Sequence, residues 1–237
     1  MPAEELAAAI GYAFVRPELL EEALTHPSVL ADGRRDGRRR APKRRAYERL
    51  EFLGDRVLGL VVADLLWRRF DSEPEGDLTR RHAHLVRRET LARVAEAIGL
   101  APHLILSRAE AASGAATHPG ILADVCEALI GAVYLDGGFA AAFAFVRRWW
   151  EPLLLEMTGP PRDPKTALQE WAQARGLRPD YALVATSGPD HARRFTVAAS
   201  VAGGDPATAT ASSKRAAEIQ AAALLLDRLV GNRESGG

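Results

Sequence analysis

The whole chain holds one cysteine, Cys126, so no internal disulfide can form and no CxxC pair offers a zinc or thiol-redox centre. It reads as a small core side chain, the common fate of a free cysteine. Histidine is thinly spread: His26, His82, His84, His103, His118 and His191 follow no repeated ligand spacing, which argues against an imidazole metal site or a general-base histidine. His26 reads as a structural residue of the turn Thr25-His26-Pro27-Ser28. Net charge is absent as well, at +0, so the overall balance points to no polyanionic partner. Glu4, Glu5, Arg16 and Glu18 interrupt the stretch where a secretory signal would lie, and no later segment is expected to cross a bilayer. The expected location is therefore cytoplasmic.

What is present is a chain of 237 residues, 47% of them hydrophobic, enough to bury the cores of two unequal domains. Its charge is uneven. Arg34, Arg35, Arg38, Arg39, Arg40, Lys43, Arg44 and Arg45 crowd one Gly- and Pro-containing stretch. Such a loop is either a solvated surface or a phosphate-attracting arm, and its composition leaves both open.

Up to about residue 157 apolar positions recur at helical spacing and sustained alternation is missing, so this block is expected to be all-α. Glu48 to Phe70 becomes apolar on nearly every side after Asp55, which suits a buried central helix. A second buried helix is expected near Ile121 to Leu135, stopped at Asp136-Gly137-Gly138. Between them, Glu75 to Ile98 reads as a charged, amphipathic segment lying across the core. Breakers in Met157-Thr158-Gly159-Pro160-Pro161-Arg162-Asp163-Pro164 mark a linker. The division expected is 1–157, a linker at 158–163, a second domain at 164–231 and a tail at 232–237. In that second domain a helix from Lys165 to Arg175 precedes strands and a helix from Ser213 to about Leu229. Phe195, Val197, Ala199 and Val201 alternate with Thr196, Ala198 and Ser200, and Ala202-Gly203-Gly204-Asp205 supplies a hairpin turn. The fold class expected is an all-α N-terminal domain plus a small α+β (α-β-β-β-α) C-terminal domain.

At about 100° per residue, Glu48, Glu51 and Asp55 fall within roughly 60° of one another on a helix. Asp124 and Glu127 are three apart in the second apolar helix. Acids in such surroundings repel one another and lose hydration, so something positive should sit among them. They could pair with Arg49 and Arg56, or hold a divalent ion. An all-oxygen set without histidine or cysteine suits Mg²⁺ or Mn²⁺ better than zinc.

The string Glu48-Arg49-Leu50-Glu51-Phe52-Leu53-Gly54-Asp55 resembles the signature of the ribonuclease III family. The likeness continues in Leu24-Thr25-His26-Pro27-Ser28, Glu75-Gly76-Asp77-Leu78-Thr79, Leu85-Val86 and Leu122-Ala123-Asp124-Val125-Cys126-Glu127-Ala128-Leu129-Ile130-Gly131. It implies an endoribonuclease for double-stranded RNA that leaves 5′-phosphate and 3′-hydroxyl ends with short 3′ overhangs. Ribosomal, messenger and other structured RNA precursors would be its substrates. It also implies a metal cluster of Glu51, Asp55, Asp124 and Glu127, with Asp55 and Glu127 catalytic, Glu48 a supporting acid and Mg²⁺ as cofactor, replaceable by Mn²⁺. A homodimer with Phe52 at its interface follows from the same resemblance. Tyr47 stands where many relatives carry asparagine.

In the second domain Thr166, Gln169, Glu170 and Gln173 form a polar stripe, which by itself is most simply a wetted helix face. With His191 in the first hairpin loop and Lys214 and Arg215 at the last helix start, the set resembles a double-stranded RNA-binding domain. That resemblance implies the stripe and His191 in two successive minor grooves, with Lys214 and Arg215 on the phosphates between. Ala209 and Ala211 replace glycines usual there, a change expected to spare the fold. A catalytically silent RNA-binding scaffold and a DNA endonuclease are the competing readings; the retained acids oppose the first and the RNA-type domain the second.

Overall fold

The computed structural model describes residues 6, 9–30, 45–189 and 192–231. Most of the arginine-rich loop, His191 and the expected tail lie outside them. The chain divides into two compact units, Met1–Pro161 and Arg162–Gly237.

Among the described residues the first unit is helical: α1 (Pro17–Leu24), α2 (Glu48–Arg69), α3 (Glu75–Leu85), α4 (Arg88–Ile98), the short α5 (Arg108–Ala112) and α6 (Pro119–Glu156). One isolated parallel bridge, Thr25 to Ile105, joins two of its loops. The core gathers Leu50, Leu58, Val61 and Val62 of α2, Leu91 and Val94 of α4, and Leu122, Val125, Leu129 and Ile130 of α6. Cys126 is fully enclosed among them, where burial pushes its thiol pKa up.

Helices α2 and α6 meet backbone to backbone. A Cβ on Gly54 would lie 1.7 Å from the Glu127 carbonyl oxygen, and one on Gly131 would lie 2.3 Å from that of Leu50. Only glycine at both positions lets the two axes come so close. That crossing sets the distance between the acids of the two helices.

Two expectations change, and the amphipathic segment gains an internal boundary. The segment from Glu75 to Ile98 is two helices, because the chain turns extended at Arg87 (φ −73°, ψ 157°). The freed carbonyls of α3 find distant donors: Thr90 Oγ1 donates to His84 O at 2.7 Å and Trp150 Nε1 to Leu85 O at 2.9 Å. The second buried helix is interrupted at Gly138, φ +75°, but resumes to Glu156, so Gly138 is a kink rather than an end. At that kink the Asp136 carboxylate accepts from Tyr12 Oη (2.9 Å), Val15 N (2.8 Å) and Arg16 N (3.0 Å). The chain before α1 is pinned there. Finally, α6 is long and apolar enough to span a bilayer by length and composition, against the expectation that no segment is. Its buried side chains pack against α2 and α4, while Leu135, Phe139 and Leu155 stay exposed.

The second unit has the order expected of it: α7 (Pro164–Gln173), β1 (Pro179–Ser187), β2 (Arg194–Val201), β3 (Ala207–Ala211) and α8 (Lys214–Gly231). The strands form one antiparallel sheet in the order β1-β2-β3. Asp163 caps α7, its Oδ1 accepting from the amides of Lys165 and Thr166. Leu168, Val197, Ala199, Ala207, Ala211, Ala217, Ala221, Ala222 and Leu225 fill a core built largely of alanine. Ala209 and Ala211 pair with Val197 and Phe195 in the ladder, so the alanines that replace glycine are ordinary strand residues. At the β2–β3 turn Gly204 N donates to Val201 O, and both central residues have positive φ, Ala202 at 53° and Gly203 at 69°. Ala202 is the only non-glycine with positive φ among the described residues.

Candidate active site

Close approach of α2 and α6 brings the acids together. Glu51 and Asp55 come from the first turns of α2, Asp124 and Glu127 from the first turns of α6. Glu127 feels Asp55, Glu51 and Asp124, and burial together with those three carboxylates pushes its pKa up to about 8. Burial, then Asp124 and Glu48, raises Glu51. Asp124 is raised by burial, although Arg88, Tyr47, His26 and His118 oppose the rise. The sequence-predicted cluster is thus one electrostatic unit, short of positive charge. Glu48 lies at its edge, exposed, and also borders the depression around Phe52.

Among the described residues no three acid, imidazole or thiol side chains are yet gathered tightly enough to hold an ion. Like charges hold one another apart, and Asp55 is turned onto Arg56, Oδ2 to Nη1 at 2.8 Å. A hard divalent cation fits the donor set even so. All donors are carboxylate oxygens, and burial together with the three neighbouring carboxylates raises Glu127, a penalty that a cation would relieve.

Two neighbours escaped the sequence reading. Tyr47, 4% exposed, sits at the head of α2 with its backbone N–H on Thr25 O (3.1 Å) and its ring edge-on to His26 (5.7 Å between centroids). Its hydroxyl hydrogen-bonds the Asp124 carboxylate, and its pKa is raised by burial and by Asp124, Glu51 and Glu48. Arg88, at the start of α4, acts on Glu51, Asp124 and Glu127 together. Arg88 carries no spacing signal because it enters from another part of the chain, whereas Tyr47 directly precedes Glu48 and its contact with Asp124 depends on the second helix lying alongside. His26 is a turn residue, its Nδ1 2.8 Å from Ser28 Oγ and accepting from Ser28 N at 3.1 Å.

Phe52 is 63% exposed despite its apolarity, with the Arg56 guanidinium 4.0 Å over its ring. Beside it lies a cavity of about 510 Å³ lined by Leu19, Leu50, Leu53, Leu135, Glu48 and Arg49 among others.

In the second unit Thr166, Lys214 and Arg215 line one open concavity of about 780 Å³ with Asp163, Lys165, Glu218 and Ile219. Lys165 Nζ lies 2.6 Å from Glu218 Oε2, which ties α7 to α8 and leaves Lys214 and Arg215 exposed. Glu170 and Gln173 are exposed farther along α7 and Gln169 is half-buried; the structure does not bring these three into the concavity.

Comparison with known proteins now adds to the geometry. Residues 16–153 match the family model described as Ribonuclease-III-like, and residues 164–229 match that of the double-stranded RNA binding motif. A protein named Ribonuclease 3 from Bradyrhizobium diazoefficiens is 46% identical over 224 residues, covering 94% of this chain and 87% of the relative. Another of that name, from Azorhizobium caulinodans, is 49% identical over 232 residues, covering 98% and 96%. Among solved structures, the nuclease domain of ribonuclease III from Campylobacter jejuni, described for flexibility in a region involved in dimer formation, is 37% identical. It superimposes with a TM-score of 0.56 over 64% of this chain and 97% of that one.

Proposed function

The chain belongs to the ribonuclease III family, and from that premise we propose that it cuts double-stranded RNA with Glu51, Asp55, Asp124 and Glu127 as a Mg²⁺-binding catalytic cluster. The observation that carries this is the Gly54/Gly131 crossing, which brings four carboxylates of two helices into one partly buried field. Carboxylates sharing such a field are relieved either by a retained proton or by a cation among them. A divalent cation held there supplies acidity to a water and charge for the departing oxygen.

The chain's own groups do the rest. Glu127, protonated near neutral pH without a cation, gives up that proton as it becomes a ligand. Asp124 is steadied by the Tyr47 hydroxyl, and Asp55 must leave Arg56 to join the cluster. Glu48 supports from the rim. Mn²⁺, another hard oxygen-seeking ion, can replace Mg²⁺. Hydrolysis leaves 5′-phosphate and 3′-hydroxyl ends.

Duplex RNA offers phosphates and 2′-hydroxyls rather than base edges, which suits the concavity of Thr166, Lys214 and Arg215. Gln169, Glu170, Gln173 and His191 complete the RNA-binding set. One cluster cuts one strand, so two copies are needed to cut both with a short 3′ overhang. Exposed Phe52 and the cavity beside it, lined by leucines and by charged residues, are the surface offered for such a homodimer. The enzyme would process ribosomal, messenger and other structured precursors in the cytoplasm.

Incubating long duplex RNA with the protein, with Mg²⁺ or with chelator, tests the activity. Cleavage in Mg²⁺ alone is expected. RNA left intact in Mg²⁺ would favour a binding scaffold, and equal competition by a 2′-deoxy duplex would favour a DNA enzyme.

A further inference from the structure

Among the described residues Arg88 is a cation beside the acid cluster that has no ion-pair partner of its own. Its neighbour Arg87 pairs with Glu89 at 3.7 Å, whereas no ion pair within 4.0 Å joins Arg88 to an acid among the described residues. Yet its charge reaches Glu51, Asp124 and Glu127, three of the four acids of the cluster. Its side chain is exposed, and its Nη1 lies 3.8 Å from where a Cβ on Gly120 would stand, near the start of α6. A guanidinium close enough to feel the acids, but bonded to none of them, leaves its donors free for an incoming anion.

We propose that Arg88 binds a non-bridging phosphate oxygen of the RNA strand lying over the carboxylate cluster, positioning that strand on the catalytic unit. This rests on duplex RNA being the substrate and the cluster being its site of hydrolysis. Acids in the site repel the phosphate backbone, and a fixed cation at the rim offsets that repulsion where the strand must come closest. With a divalent cation held by the cluster, the acids would attract Arg88 less, and its donors would be left to the phosphate. Arg88 therefore contributes to substrate binding more than to the chemical step.

The test compares the full-length wild-type chain with Arg88→Gln and Arg88→Lys in Mg²⁺. Arg88→Gln is expected to raise KM for duplex RNA about tenfold, as a lost charged hydrogen bond would, with kcat within about twofold. The slope of log(kcat/KM) against log[salt] should flatten by about one. Arg88→Lys keeps the charge and should restore the slope and much of the KM. Calorimetric titration with Mg²⁺, without RNA, gives a readout apart from activity: Arg88→Gln should bind the ion a few-fold more tightly, since a like charge is gone. An unchanged KM and salt slope in Arg88→Gln, or weaker Mg²⁺ binding, would overturn the inference. A wild-type chain that leaves duplex RNA intact in Mg²⁺ would instead overturn the functional reading beneath it.

Discussion

The two units place their candidate site residues in opposite relation to their cores. In the first, acids project from helices whose backbones touch at Gly54 and Gly131, so the site is inseparable from the tightest packing in that unit. In the second, an alanine-rich core holds a three-stranded sheet against two helices, while Lys214, Arg215 and Thr166 stand at the surface. Chemistry that needs desolvated, coupled carboxylates must draw on the interior. Recognition of a duplex by shape needs only a surface of charge and hydrogen bonds held in register.

The largest effect expected from that contrast is at the helix crossing. Gly54→Ala should destabilise the first unit by about 3 kcal/mol or more, because the new methyl meets backbone that cannot yield. Its unfolding transition should move down in calorimetry while that of the second unit stays in place. A shared shift of both transitions would break the contrast.

Next comes the cost of the cluster itself. Glu127 has an ordinary pKa of 4.5 and is pushed up to about 8 in the fold, so the folded protein keeps a proton that the unfolded chain loses. Without metal, stability should therefore fall as pH rises from about 4.5 and level off above about 8. Glu127→Gln should flatten that fall while lowering cleavage at least about 100-fold, the scale on which even outer-shell partners of a metal matter. Thermal melts across this range, in chelator, check the sign. In the wild-type chain Mg²⁺ binding should release protons and tighten as pH approaches 8.

At the surface, Lys214→Ala with Arg215→Ala should weaken duplex binding about tenfold or more and flatten its salt slope by about two, leaving both melting transitions unmoved. Binding measured across a salt series checks this. A stability loss here would mean that the surface is not separable from its core. The smallest effect belongs to the β2–β3 turn. Ala202→Gly should stabilise the second unit by about 0.5–1 kcal/mol, because the φ of 53° suits glycine better than alanine. Denaturant titration of the variant against the wild type checks it.

Much of this was legible in the sequence, for identifiable reasons. Spacing put Glu51 and Asp55 on one helix face, and the alternation of Phe195, Val197, Ala199 and Val201 marked β2, whose Val197 and Ala199 are buried. Both patterns are local. What escaped depends on distant partners. The break at Arg87 is sustained by Thr90 and by Trp150, the latter 65 residues from the carbonyl it serves. α6 runs on past Gly138 because Phe145, Val146, Trp150 and Leu154 have a core to enter. Arg88 joins the acids from another helix, and Tyr47, four residues before Glu51, reaches Asp124 only because α6 lies beside α2. Gly54 could be seen as part of a motif, but its duty as a contact point needs the second helix.

The most direct measurement is cleavage of duplex RNA across a Mg²⁺ series by the wild-type chain and by the double variant Asp55→Asn, Glu127→Gln. The expected result is Mg²⁺-dependent cutting by the wild type and no measurable cutting by the double variant, which still binds the duplex through its second unit. Cleavage at the wild-type rate by the double variant would contradict the assignment of the α2–α6 carboxylates as the catalytic cluster.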